Sequence, residues 1–414
     1  MKYVIVIPDG CADDPQVSLG GKTPLQAAIR PAMNAAAKMG MVGLSNNVPA
    51  SLTPASDVAT LSLFGYDPME VYTGRAPLET VAMGIKLNQG DWAIRCNLVN
   101  VVDGVMKDFT AGHIANEDGK ELINTLQEKL GGEVKSPSGK VLGVLEFHAG
   151  VSYRNILVYR SKEPSPFAKE TKGQPPHDIP DKAVAPYLPS GPGCELLKEI
   201  MQKSQALFLD HKVNKKRIAE GHKPATQCWL WGMGVSPVLK KFADVHNVNG
   251  AIISAVDLVR GVGMLLGWNR IDVPTATGYL DTDYAAKGRY AIEAIKNHDL
   301  VCVHVEAPDE ASHEGRVDAK IEALEQIDRH IVAPLMAVLP SYKDWRILIS
   351  PDHRTPVQTR AHSHGAVPFV IAGTGILANG QETYDEVAAA ASSVLFAKGH
   401  DLMKVFLKST ITCI

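Results

Sequence analysis

Three apolar, β-branched runs in this chain each end on acidic or imidazole side chains, and that recurrence limits the fold more than any other feature. Tyr3-Val4-Ile5-Val6-Ile7 stops at Pro8-Asp9-Gly10. Leu300-Val301-Cys302-Val303-His304-Val305 runs into Glu306-Ala307-Pro308-Asp309, and Arg346-Ile347-Leu348-Ile349 runs into Ser350-Pro351-Asp352-His353. Short continuous apolar runs of this kind read as buried strands. Helical patterns alternate with them. Thr23 to Gly40 has Thr23 as N-cap and Pro24 at the first helical position, with Pro31 expected to kink or split it. Val58 to Phe64 follows the turn Pro54-Ala55-Ser56-Asp57 and is closed by Gly65; Val317 to Val338 and Thr383 to Lys398 are further helices, and Val42-Gly43-Leu44 a second strand. Strands alternating with helices imply an α/β fold with a mostly parallel sheet, whose ligands gather at the carboxyl ends of its strands.

The 414 residues suffice for two domains, or for one large α/β domain carrying an insertion. The middle of the chain differs from its flanks. It holds short strand-like pieces (Val141 to Phe147, Tyr153 to Tyr159) and a loop-rich, proline-bearing stretch from Ser161 to Gly193. Residues 86–245 are therefore expected to form an inserted domain, with residues 1–85 and 246–414 making the core. A formal net charge of -3 supplies no basic field for nucleic acid or an anionic membrane. The N-terminal apolar run is too short for a signal peptide, and no stretch approaches the roughly 20 apolar residues of a membrane span. Six cysteines, at 11, 96, 194, 228, 302 and 413, show no CxxC pairing, against both a zinc ribbon and a disulfide framework. The expectation is a cytoplasmic protein of a reducing compartment.

The chemistry concentrates in four short segments. Asp309 and His313 are four apart and share one face of a helical turn, so both can reach one ion. Asp352-His353 sits at a strand end, where a loop lets the two side chains diverge. His362-Ser363-His364 follows shortly after, and Asp9 adds another carboxylate. Mixed nitrogen and oxygen donors suit Mn²⁺ or Zn²⁺, and Mg²⁺ less well. Taken singly, each has a plain structural reading: Asp9 as a turn or cap residue, Asp309–His313 as an ordinary helix-start pair. Ser56 stands at the predicted N-cap of the Val58 helix, where backbone N–H groups favour a phosphate. It is either a nucleophile or simply the cap; the cap is the simpler reading of the residues alone. No Walker-type GxxxxGK[ST] loop is present.

Across nearly its whole length the chain resembles the archaeal-type, cofactor-independent phosphoglycerate mutases of the alkaline phosphatase superfamily. The segments that carry this are Ile7-Pro8-Asp9-Gly10, Lys22-Thr23-Pro24-Leu25, Ser56-Asp57-Val58-Ala59-Thr60-Leu61-Ser62 with Gly65-Tyr66-Asp67-Pro68, and Tyr72-Thr73-Gly74-Arg75-Ala76-Pro77. Trp229-Leu230-Trp231-Gly232, Ser254-Ala255-Val256-Asp257-Leu258, Thr277-Gly278-Tyr279-Leu280-Asp281-Thr282 and His304-Val305-Glu306-Ala307-Pro308-Asp309-Glu310 complete the set. The resemblance implies an alkaline-phosphatase-like three-layer core with a mostly parallel central sheet and an inserted smaller α+β domain that caps the substrate. It implies two divalent metal ions, Mn²⁺ first and Zn²⁺, Co²⁺ or Mg²⁺ behind it, and no 2,3-bisphosphoglycerate. Asp309, His313 and His362 would hold one ion, and Asp9, Asp352, His353 and Ser56 the other. His362 is preferred to His364 because the family's ligand stands six residues before the proline of a Val-Pro pair, here Pro368.

By the same analogy Ser56 would take the phosphoryl group from one hydroxyl of phosphoglycerate and return it to the neighbouring one. Arg75, Arg95, Arg154 and Arg260, with Lys287, are the candidates to bind phosphate and carboxylate. His113 is a candidate acid or base. The chain departs from the family at Ala55, where glycine is usual, and at Thr60, where asparagine is common. A bacterial branch proposed to be homoserine kinase is the competing reading. The N-terminal run, the segment around His113 and Pro176-His177-Asp178-Ile179 are similar to it. A phosphomonoesterase and a non-catalytic metal-stabilised binding protein are the other readings.

Overall fold

A computed structural model describes residues 1–407; Cys413 lies outside them. The chain divides into two compact units, Met1–Tyr72 with Leu239–Ile414, and Thr73–Val238. Both boundaries lie earlier in the chain than the expected 86 and 245, at 73 and 238. The helix Arg75–Ala82 lies against the strands Trp92–Val102 and Gln227–Val235, which belong to the second unit.

The first unit is built on an eight-stranded sheet. Its spatial order is Asn269–Arg270, Gly250–Ile253, Leu300–Val305, Lys2–Pro8, Trp345–Ile349, Val367–Gly373, Met41–Ser45, Leu395–Phe396. The first five strands run parallel. Val367–Gly373 is antiparallel to both its neighbours, and Leu395–Phe396 pairs parallel at the edge. The expected mostly parallel α/β sheet is present. Val4, Ile5, Val6 and Ile7 are fully buried, as are Val301, Cys302, Val303 and Ile347 to Ile349. Both faces of this sheet are covered, which is why its strands read as unbroken apolar runs instead of alternating ones. Register does the rest. Ile7 lies beside His304 and Val6 beside Ile349, so the three strands end together and present Asp9, Glu306 and Asp352 along one edge.

Thr23 closes a capping box with Gln26, and the helix Pro24–Ala27 ends before a second helix begins at Pro31 and runs to Met39. Pro31 thus splits the segment, as expected. The Val317 to Val338 pattern is helical throughout, with one turn widened. Val317–Ile327 passes into a π-helical turn, Asp328–Val332, before Ala333–Val338. Pro334 has no N–H to give to an α-helical ladder, and the widened turn accommodates it. The Thr383 to Lys398 expectation was too long. Only Glu386–Ala391 is helical, capped by Asp385, and Leu395–Phe396 is the edge strand beside Met41–Ser45. The helix stops at Ser392-Ser393, where Ser393 adopts φ +59°.

The second unit is α+β. Its antiparallel sheet runs Val105–Asp108, Trp92–Val102, Arg154–Ser161, Val141–Val151, Gly132–Lys135, and Gln227–Val235 also pairs with Trp92–Val102. The helices Asn116–Leu130 and Cys194–Leu209 lie on it, and its core centres on Trp229, Leu157, Tyr159 and Phe208. Between Ser161 and Gly193 there are only two single helical turns, Pro176–Asp178 and Ala185–Tyr187. The five described cysteines are free thiols. Among the described residues no helix is long and apolar enough to cross a membrane.

Candidate metal centre

Asp9, delivered by the central strand, is fully buried, as are Asp352 and His304. The turn after it needs glycine. Gly10 has φ +59°, and a side chain there would run into the side chains of Asp309 and Thr355. The strand Leu300–Val305 passes into the helix Ala307–His313, with Pro308 in its first turn. One turn of that helix aligns Asp309 with His313, whose Nε2 is 3.0 Å from Asp309 Oδ2. His362 Nε2, from the loop preceding Val367–Gly373, lies 3.6 Å from the same oxygen and 3.1 Å from His313 Nε2. Two ring nitrogens that close, both facing one carboxylate, need a shared cation or proton between them.

A second group gathers around His353. Its Nε2 is 3.1 Å from Ser56 Oγ, 3.4 Å from Asp9 Oδ1 and 3.4 Å from Asp352 Oδ2. A third group joins Asp9 to His304, 2.7 Å away, and to Glu306. Asp309, His313 and His362 are close enough to hold one ion, and so are Asp9, Asp309 and His353. Asp9 Oδ1 and Asp352 Oδ2 are buried without a hydrogen-bond partner among the described residues. Four carboxylates and four imidazoles in so small a volume, with three oxygens unsatisfied once Glu306 Oε2 is included, fit divalent cations held by mixed nitrogen and oxygen donors.

The electrostatics agree. Burial, then the charges of Asp352, Glu306 and Asp309, push the Asp9 carboxyl well above its usual range. Burial likewise raises Glu306 to about 7 and lowers His304 to about 4. Burial works against ionised Asp309 too, but hydrogen bonds from His313 and His362 outweigh it and hold that carboxyl well below its usual range. His313 rises to about 9, because its bond to Asp309 outweighs the cost of burial. Without cations the cluster keeps protons instead.

Ser56 is not the N-cap. Ala55 occupies that position, and Ser56 is the first residue of the helix Ser56–Leu63, with its side chain turned to His353. Ala55 has φ -169°, extended backbone open to any residue, so the absence of glycine there costs nothing. Thr60 is buried, and its hydroxyl has no partner among the described residues. His364 turns away; its Nε2 meets Leu52 O at 2.9 Å.

Lys287 is fully buried and donates to His304 O at 3.3 Å; burial lowers it to about 8, against the opposing charge of Glu306. Arg260 donates to Ser254 O at 2.5 Å and to Asp257 Oδ1 at 3.2 Å. Arg75, Arg95, Arg154 and His113 belong to the second unit. There Arg75 and Arg95 both contact Glu79 and lie over the Trp231 ring, 5.8 Å and 5.1 Å from its centre. Burial holds the Arg95 guanidinium well below its usual range, and the positive charges of Arg75 and Arg154 add to that. Arg154 lies against Tyr153. His113 is exposed, with φ +48°, and its N–H donates to Thr110. His304, Glu306 and Thr355 join the cluster without a role expected from the sequence, in which only His304, a histidine inside an otherwise apolar buried strand, carries a signal.

A mostly parallel sheet with carboxylates and imidazoles converging at its strand ends defines an α/β protein suited to holding divalent metal ions. The family profile described as 2,3-bisphosphoglycerate-independent phosphoglycerate mutase matches residues 37–214. A protein of that name from Methanothrix thermoacetophila is 44% identical over 408 residues, covering 98% of this chain and 100% of the relative. Another, from Methanosarcina barkeri, is 43% identical over 411 residues, covering 99% and 100%. Among solved structures, a Pyrococcus horikoshii protein matches at a TM-score of 0.80 and 28% identity, over 100% of this chain and 99% of its own. The cofactor-independent phosphoglycerate mutase of Thermoplasma acidophilum shares the fold at a TM-score of 0.64 and 24% identity, over 98% and 99%. The chain belongs to the 2,3-bisphosphoglycerate-independent phosphoglycerate mutase family.

Proposed function

We infer that this protein is a phosphoglycerate mutase that interconverts 3-phosphoglycerate and 2-phosphoglycerate through a phosphoserine on Ser56, without 2,3-bisphosphoglycerate. The observation that carries this is Ser56 Oγ facing His353 inside the carboxylate–imidazole cluster, in a chain 44% identical to a named mutase over nearly its full length. Asp309, His313 and His362 are assigned one ion, and Asp9, Asp352, His353 and Ser56 the other, with manganese as the metal. Two such cations, when bound, supply charge stabilisation to phosphoryl oxygens and ease loss of the serine proton.

The chain's own residues do the rest. The Ser56 side chain, free of any capping duty, is held at the start of a buried helix whose leading N–H groups favour an anion. Lys287 and Arg260, and Arg75, Arg95 and Arg154 in the second unit, are assigned to the substrate's phosphate and carboxylate. Arg75 and Arg95 share one carboxylate, Glu79, and the charge of Arg154 also acts on Arg95, which leaves cationic charge for an anion. The second unit is given the part of retaining the glycerate while it reorients, since an escaped glycerate would turn a mutase into a phosphatase. His113 is assigned proton transfer there. The setting is cytoplasmic glycolysis.

Relatives at this identity carry the mutase name, so the homoserine kinase reading is not favoured. A paired assay on Mn²⁺-loaded protein separates the two. One arm follows 3-phosphoglycerate to 2-phosphoglycerate with no bisphosphoglycerate added, and the other supplies homoserine and ATP. Isomerisation is expected, and Ser56→Ala should abolish it while leaving the unfolding temperature near the wild-type value. Phosphohomoserine without isomerisation would refute the mutase and leave the metal centre in place.

A further inference from the structure

Between the two ion-binding groups stands one hydroxyl, that of Thr355. It donates to Asp309 Oδ1 at 2.5 Å and lies 3.1 Å from His353 Nδ1. A hydroxyl has a single proton to give, and this one goes to Asp309. Toward His353 the oxygen can therefore only accept, so His353 Nδ1 carries the hydrogen. His353 Nε2 is then left with its lone pair, directed at Ser56 Oγ, Asp9 and Asp352. On the other side, the bond to Oδ1 leaves Asp309 Oδ2 turned toward His313 and His362.

The threonine is itself held. It is fully buried, its N–H donates to Ala12 O at 3.3 Å, and its carbonyl accepts from Lys320 Nζ at 3.0 Å. The same buried ammonium donates to Gly10 O at 3.0 Å and pairs with Asp13 at 2.8 Å. Lys320 thereby ties the loop after Asp9 to the loop after His353, and Thr355 is fixed relative to both.

We propose that Thr355 is a positioning residue that couples the two metal subsites, setting the His353 tautomer for one ion and the Asp309 rotamer for the other. The assignment rests on the metal-centre reading but not on the identity of the substrate. A ligand's outer partner acts on metal affinity by fixing the orientation and basicity of the ligand. Because one hydroxyl serves both groups, its loss should weaken both ions together.

The test is calorimetric titration of Mn²⁺ into metal-stripped wild type, Thr355→Val and Thr355→Ser, without substrate. Wild type should take up two ions, and Thr355→Val should bind both more weakly by roughly 10–100-fold, with Thr355→Ser restoring most of the affinity. Wild-type affinity in Thr355→Val, loss of one ion with the other unaffected, or a serine variant as weak as valine would each overturn the proposal. A wild type that binds fewer than two ions would overturn it together with the metal-centre reading. Two tight ions without phosphoglycerate turnover would refute only the reaction. Should Thr355→Val fail to fold, long-range proton–nitrogen correlation of histidine-labelled, metal-free wild type decides directly. The Nδ1–H tautomer of His353 is expected, and the Nε2–H tautomer would overturn the assignment.

Discussion

Gly10 shows how little room the centre leaves at the residue scale. Its φ of +59° and the side chains of Asp309 and Thr355, which stand where a Cβ would go, exclude any larger residue. Gly10→Ala is expected to destabilise the protein by roughly 1–3 kcal/mol from the backbone alone. It should also weaken Mn²⁺ binding, because relief of the collision moves Asp309. Denaturant unfolding and metal titration check the two effects separately; an unchanged midpoint would show that the turn has another conformation. Legibility at this scale depends on position. Asp9, Asp352, His353, Asp309 and His313 could be picked out because apolar runs stop at them, and a strand end is where a sheet presents ligands. Thr355 and Lys320 carry no such mark. Their partners are fixed by how two loops and a helix meet, and a lone threonine or lysine in sequence does not encode that meeting. At Ser56 the usual capping signal of a serine before a helical run misleads, because the cap is Ala55 and Ser56 already belongs to the helix.

At the scale of elements, the strands were easier to read than the ends of helices. The three central strands are buried on both faces, so their sequence is apolar almost throughout, His304 and Arg346 being the buried exceptions. The segment after Thr383 misled because helix-forming alanines continue up to a short edge strand whose pairing partner, Met41–Ser45, lies far away in sequence. What anchors its short helix is Asp385. Its Oδ1 accepts from the N–H groups of Val387 and Ala388, and its Oδ2 pairs with Arg30 Nη2 at 2.9 Å, both side chains being nearly inaccessible. Asp385→Ala removes the cap and leaves a buried guanidinium unpaired. A loss of about 3–5 kcal/mol is expected on the precedent of broken buried pairs. Urea unfolding measures it. A loss below about 1 kcal/mol would mean that water reaches Arg30 and that the element is anchored elsewhere.

At the scale of the whole molecule, the centre makes stability depend jointly on pH and metal. In the metal-free protein, His313 is raised from 6.5 to about 9, chiefly by Asp309 against the cost of burial. A group whose folded pKa is raised contributes stability that is complete below the unfolded value and lost as pH climbs toward the folded one. His362 is raised by the same carboxylate, and Glu306, raised to about 7, adds loss in the same direction over the lower part of the range. His304, lowered to about 4, opposes the trend while the unfolded imidazole still holds its proton, an effect that fades above the unfolded value of 6.5. Lys287, lowered to about 8, opposes the trend as pH approaches 8. Between pH 6.5 and 8 the raised His313 and His362 outweigh these opposing groups, and across that window the chelated protein should lose unfolding temperature. With Mn²⁺ in excess the sign changes. Protons and metal compete for the same imidazoles and carboxylates, so metal affinity rises with pH, and the stabilisation it supplies grows as proton stabilisation fades. The gap between loaded and chelated unfolding temperatures should widen from pH 6.5 to 8. A gap that stays constant would mean that the ions bind without displacing protons from His313 and His362, and those two would have to be struck from the ligand set.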